Sequence, residues 1–229
     1  MDIQHFFLEK GEGEPILFLH GNGEDSSYFD NQMIPFSMKY HIYAIDTRGH
    51  GRTPRGNAPF TISQFADDLK EFMDIHHLAK AHILGFSDGG NVALTFAIRY
   101  PERVDHLILN GANLDPAGVK RRDQVPIEED YKRAKAKENE GEREKRRAEM
   151  LGLMVNDPHI AVDDLFGIKA RTLVIAGTDD MIEEEHTKQI AAGIPKAELA
   201  FIEGDHFIAQ KNAEAFNECV LRFLSDGCR

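Results

Sequence analysis

Three side chains able to carry out acyl transfer, a serine, an acid and a histidine, each follow an apolar run in this chain. Ser87 lies within Gly85-Phe86-Ser87-Asp88-Gly89-Gly90, between the apolar run Ala81 to Leu84 and a helical pattern from Asn91 to Tyr100. A G-x-S-x-G sequence at a strand-to-helix junction makes a sharp turn whose apex lifts the serine hydroxyl toward a substrate. After the run Thr172 to Ala176 comes Gly177-Thr178-Asp179-Asp180, and after Ala197 to Ile202 comes Glu203-Gly204-Asp205-His206. Serine needs a base to take its proton, and the base needs an acid to orient it. Taken singly, each residue has an ordinary explanation: chance for a serine between glycines, turn chemistry for Asp179 or Asp180, and loop polarity for His206. The order serine, acid, histidine, each after its own strand, favours the chemical reading.

A developing oxyanion also needs donors. His20-Gly21-Asn22-Gly23 follows the apolar run Ile16 to Leu19, and its Gly21, Asn22 and Gly23 form a turn with backbone N–H groups free to point above the strand ends. The Asn22 amide is placed to donate to a bound oxygen, and His20 reads as a residue that holds the loop. Asp88 follows the serine and starts a helix, where the N-terminal dipole stabilises an acid. The sharper reading is that its carboxylate attracts a cationic acyl group.

The elements that must position these residues alternate. Strands are expected at Ile3 to Leu8, Ile16 to Leu19, His41 to Ile45, Ala81 to Gly85, Val104 to Leu109, Thr172 to Ala176 and Ala197 to Ile202. Helices are expected at Ser63 to His77, Asn91 to Tyr100, Glu183 to Ala192 and Ala213 to Leu224, with Pro101 ending the second. This predicts an α/β fold with an open, mostly parallel sheet covered by helices on both faces. The alternation fails between residues 113 and 163. There the charged stretch Glu128 to Glu149 reads as one or two solvated helices, and Tyr131, Met150, Leu151, Leu153 and Met154 are the apolar residues that would let it act as a lid. We therefore expect one domain over residues 1–229 with a helical cap insertion at 113–163.

The chain has 229 residues, and its 27 basic against 39 acidic side chains give a formal charge of −12. That balance argues against a nucleic-acid or anionic-membrane partner. No apolar stretch is long enough to span a bilayer and Met1 to His5 lacks signal-peptide character, so a cytoplasmic location is expected. The two cysteines, Cys219 and Cys228, have no disulfide framework around them. Cys219 is expected to pack as a small apolar residue. No Cys/His spacing reads as a metal site.

These motifs together resemble the α/β-hydrolase fold superfamily. The residues concerned are His20 to Gly23, Asp46-Thr47-Arg48-Gly49-His50-Gly51-Arg52-Thr53, Gly85 to Gly89, Gly177 to Asp180 and Asp205-His206. The resemblance implies Ser87 as nucleophile, His206 as base and Asp180 rather than Asp179 as orienting acid, with backbone N–H groups of Asn22 and Asp88 as the oxyanion hole. It implies no metal or organic cofactor, and a scaffold role for Arg48 and His50. Two departures stand out: the N-terminus has room for only one strand of the usual hairpin, and Asp205 replaces a common glycine, where an inward carboxylate would raise the pKa of His206. The serine elbow argues against the dehalogenase and epoxide hydrolase branches, which use aspartate. The Ser-Asp-Gly-Gly elbow is similar to that of the α-amino-acid ester hydrolases of the valacyclovir hydrolase type, in which the acidic neighbour contacts the substrate amino group.

The expected function is hydrolysis of a small carboxylic ester by water. The alternatives are thioester or C–C bond hydrolysis or perhydrolysis on the same residues, or a slow-turnover binding protein on the same fold. A homodimer is left open.

Overall fold

The computed structural model describes residues 2–225, so Cys228 lies outside the described residues. The chain runs β1 (Phe7–Lys10), β2 (Glu14–Leu19), α1 (Asp30–Ser37), β3 (Tyr40–Ile45), α2 (Ile62–Ile75), β4 (Ala81–Phe86), α3 (Asp88–Arg99), β5 (Val104–Asn110), α4 (Arg121–Lys135), α5 (Glu142–Asn156), β6 (Arg171–Gly177), α6 (Glu184–Gly193), β7 (Glu198–Ile202), α7 (Ile208–Lys211) and α8 (Ala213–Ser225). The strands form one sheet in the order β1-β3-β2-β4-β5-β6-β7. Only β1 is antiparallel, pairing with β3.

Successive residues of a strand face opposite sides, and the strands sort their side chains accordingly. Leu17, Leu19, Tyr43 and Ile45 join a core with Phe65, Leu69 and Phe72 of α2 and Phe96 of α3. Their neighbours Ile16, Phe18, Ile42 and Ala44 join Phe36 of α1 and Phe216, Val220 and Phe223 of α8 on the other side. The sheet is therefore apolar on both faces, which suits a parallel arrangement. Cys219 is half-buried against the second core, as expected of a small apolar residue.

The first strand is displaced from the expected Ile3 to Leu8. Residues before Phe7 are held instead by single contacts to the loop after β3: Phe6 donates its N–H to Thr53 and its carbonyl accepts from Asp46 N. Asp2 pairs with Arg48 at 2.8 Å. The lone β1 fits the room the N-terminus offers.

Residues 113–163 contain α4 and α5, two helices packed on each other where the charge pattern predicts helices. They are tied to the body by polar contacts. Glu149 of α5 receives both Nε and Nη2 of Arg55, at 2.9 and 2.8 Å, and Arg146 donates to the Gly49 carbonyl.

Candidate active site

Every sequence-predicted residue of the site emerges at the C-terminal edge of the sheet, on either side of the point where the strand order reverses between β2 and β4. Ser87 sits between β4 and α3 with φ 53° and ψ −121°, a strained conformation for a residue with a side chain. Its N–H is held by the Asn110 carbonyl at 2.8 Å. The flanking glycines permit the turn: a Cβ on Gly85 would collide with the Gly89 carbonyl, and one on Gly89 with the Leu19 carbonyl.

His206, on the loop after β7, places Nε2 3.0 Å from Ser87 Oγ. Its Nδ1 lies 2.6 Å from Asp180 Oδ1. Burial works to raise the pKa of Asp180, but the His206 hydrogen bond and charge and the N–H groups of Ile182 and Gly177 outweigh it and hold the acid below its ordinary value. An ionised Asp180 can only accept, so His206 Nδ1 carries the proton and Nε2 is free to receive one from Ser87. Asp179 points to solvent and pairs with Arg122 at 2.6 Å. Asp205 also turns outward, pairing with Lys211 and accepting from Phe207 N at 2.9 Å. The inward carboxylate that would act on His206 is not found. Phe86 packs against the His206 ring, with centroids 4.8 Å apart, and stacks on Tyr28 at 4.3 Å.

The oxyanion loop lies beside the elbow because β2 pairs with β4 up to Leu19 opposite Gly85. His20 behaves as the loop's anchor: Nε2 accepts from Thr47 N at 3.0 Å, so Nδ1 donates to the Gly21 carbonyl at 2.8 Å. The Gly21 N–H is taken by the Glu24 carboxylate at 3.1 Å. Burial, the largest effect on Glu24, pushes its pKa up to about 7. Gly23 adopts φ 73° at the turn. The expectation for the Asn22 side chain is corrected: its Nδ2 donates to Asp88 Oδ2 and to the Met150 carbonyl, both at 2.9 Å, so its two protons are engaged elsewhere. The Asp88 N–H opens α3, where a helix leaves its first donors without intrahelical partners.

Arg48 and His50 take no part in this constellation. Arg48 is buried in a bidentate pair with Asp68, both contacts at 2.7 Å, and also binds Asp2. His50 is buried near His20, and burial drives its pKa down to about 3.

A narrow cleft opens over Ser87, lined by Asp88, Asn113, Val119, Gln124, Met154, Asp157, Met181 and Ile182. Burial pushes the Asp88 pKa up to about 6 against hydrogen bonds from Asn22 and Asn91, and the nearby Asp157 charge pushes the same way. Asp157 is itself raised, chiefly by burial. Gln124 is buried, and its Oε1 has no hydrogen-bond partner. Neither Asp157 nor Gln124 is marked by any motif, because each reaches the cavity only through the folding of the 113–163 segment.

Fold and site together define the hydrolase class of open α/β sheets. A family model described as the alpha/beta hydrolase fold matches residues 14–154, and the chain belongs to that family. Among its relatives, a RutD protein of Caulobacter vibrioides, provisionally named a carbamate hydrolase, is 28% identical over 98% of this chain and 96% of its own. The enol-lactonase of Burkholderia xenovorans LB400 superposes with a TM-score of 0.82 over 97% of each chain, at 22% identity. Est816, described as an N-acyl homoserine lactone degrading enzyme, gives 0.79 over 96% of this chain and 97% of its own, at 27% identity. Among the described residues no helix is long and apolar enough to cross a membrane.

Proposed function

We propose that this chain is a serine hydrolase that cleaves small carboxylic esters through an acyl-enzyme, with a preference for amino-acyl groups. The observation that carries the reaction class is the continuous relay from Ser87 Oγ to His206 Nε2 at 3.0 Å and from His206 Nδ1 to Asp180 at 2.6 Å. Ser87 Oγ attacks the acyl carbon while its proton passes to His206 Nε2. The carbonyl π pair moves onto oxygen, where the backbone N–H groups of Asn22 and Asp88 stabilise it. Collapse expels the alcohol oxygen, which takes the proton back from His206. Water then repeats the attack, giving the acid and restoring the serine. Asp180 stays ionised throughout, fixing the imidazole tautomer and balancing its positive charge.

The amino-acyl preference is supported by the cavity lining. Asp88, Asp157 and the unpartnered Gln124 Oε1 all present acceptors to the space above Ser87, and an ammonium group supplies three donors and a compensating charge. Met154 at the wall of that space, and the Met150 carbonyl bound to Asn22, support α5 as a lid on the acyl site. A second reading, carbamate hydrolysis on the same residues, is favoured by the near full-length similarity to RutD.

Turnover of p-nitrophenyl acetate, an alanyl ester and a carbamate separates these readings. Ser87→Ala and His206→Ala should each lower ester kcat by at least about 10³-fold. Folded protein that neither turns over any of the three nor is labelled by a fluorophosphonate would sink the enzyme reading, whereas turnover of the carbamate alone would replace the ester one.

A further inference from the structure

The opposite edge of the sheet carries a second group of chemically able side chains that the reaction does not use. His82 is the second residue of β4, and Asp105 and His106 are the second and third of β5. Because β4 pairs with β5 through an irregular register between Ala81 and Ile83, both imidazoles meet the same carboxylate. His106 Nδ1 lies 3.0 Å from Asp105 Oδ2, and His82 Nδ1 lies 3.5 Å from that same oxygen. The two rings have centroids 5.0 Å apart. One ligand atom from each of the three residues falls within 4.8 Å of the others.

The environment of His82 makes this more than a surface ion pair. Its side chain is only 5% exposed, and its Nδ1 has no hydrogen-bond partner. Its other nitrogen, Nε2, lies 3.3 Å from the Glu14 carboxylate. A carboxylate accepts, so Nε2 holds the proton and Nδ1 presents a bare lone pair. That lone pair faces the lone pairs of Asp105 Oδ2, an acceptor opposed to an acceptor. A divalent cation between them resolves the opposition, and the Glu14 contact is the carboxylate–histidine support that metal-bound imidazoles ordinarily have.

We propose that His82 Nδ1, His106 Nδ1 and Asp105 Oδ2 form a binding site for a divalent transition-metal ion, zinc by preference, with Glu14 orienting His82. Metal–ligand bonds of about 2.0–2.2 Å in a tetrahedron set ligand atoms roughly 3.3–3.5 Å apart; the two distances to Asp105 Oδ2, 3.0 and 3.5 Å, are near this, and the imidazole pair, within 4.8 Å, closes by a turn of the partly exposed His106 ring. Two imidazoles and one carboxylate suit zinc better than magnesium or calcium, which favour all-oxygen shells. Binding through Nδ1 requires the His106 ring proton now shared with Asp105 to move to Nε2, so that the neutral imidazole presents a lone pair to the ion. Lys80 occupies the other carboxylate oxygen, Oδ1, at 2.7 Å, and its half-exposed side chain can swing into solvent. A surface cavity lined by Glu14, Lys80, His82 and Asp105 gives the ion a way in. Five residue steps of extended chain lead from His82 to Ser87, about 16 Å, so the ion would staple β4 to β5 rather than join the reaction.

Chelator-treated full-length protein is titrated with zinc chloride by calorimetry and with cobalt chloride by visible absorption. The expected result is one equivalent of zinc bound and a cobalt spectrum of tetrahedral intensity. Asp105→Asn and His106→Gln, at positions that are not fully buried, should each weaken zinc by more than 10-fold. Glu14→Gln should weaken it by about 10–100-fold, and Ser87→Ala should leave it unchanged. Absence of stoichiometric binding, or affinity unaltered in Asp105→Asn and His106→Gln, would overturn the site.

Discussion

At the scale of single residues, the proposed reaction divides reactivity and selectivity between Ser87 and Asp88. The φ of 53° at Ser87 costs the fold stability in return for an exposed hydroxyl. Glycine accepts that conformation, whereas alanine retains the strain. Ser87→Gly should therefore melt at a higher temperature than Ser87→Ala, by the equivalent of about 1–2 kcal/mol, although both lack activity. Equal melting temperatures in calorimetry would show the elbow to be relaxed. Asp88 is tested by pH. Its pKa of about 6 leaves the carboxylate charged above that pH and neutral below it. The ratio of amino-acyl to plain acyl kcat/KM should therefore fall as pH drops through about 6, since any pH effect on the steps common to both esters divides out of the ratio. In Asp88→Asn the ratio should start low and stay flat, and an unchanged ratio would remove Asp88 from substrate selection.

Among the elements, α5 has the most testable role, because its Glu149–Arg55 pair fastens it to the loop after β3 while Met154 faces the cavity. The pair is partly exposed and is worth about 1 kcal/mol at most. If α5 acts as the proposed lid, replacing Glu149 by Gln should loosen it and raise KM by up to about fivefold with kcat little changed. A fall in kcat at constant KM would point to a distortion of the Ser87 relay instead. Elements show how far the sequence could be read. All seven strands were announced by short apolar runs, and Ser87, Asp180 and His206 by their places after three of them. Helix α1 was not, because its eight residues include Pro35 and only a short apolar face. The first strand was misplaced because Ile3, Phe6, Phe7 and Leu8 read as one apolar run, yet Phe6 spends its backbone N–H and carbonyl on the loop after β3. Asp157, Gln124 and the engaged side chain of Asn22 were illegible for one reason: the first two meet the cleft at Ser87 only through the fold, far from it in sequence, and Asn22 meets Met150 128 residues away.

On the scale of the whole molecule, the formal charge of −12 surrounds a site whose proposed substrate is cationic. Such a field raises the rate of encounter at low ionic strength and is screened within about 3 Å at 1 M salt. For an alanyl ester kcat/KM should decline as salt rises from about 10 mM to 1 M, and for an uncharged ester it should hold steady. A parallel response of both esters would mean that salt acts on the fold rather than on encounter. The same long-range economy governs Arg48, whose buried guanidinium divides itself between Asp68 and Asp2. Its loop carries Gly49, the carbonyl partner of Arg146 on α5. Asp2 is thereby linked, through two contacts and one peptide bond, to α5. For anyone engineering this protein, Asp2 is accordingly a position at which a substitution would be felt at α5, far from it in sequence.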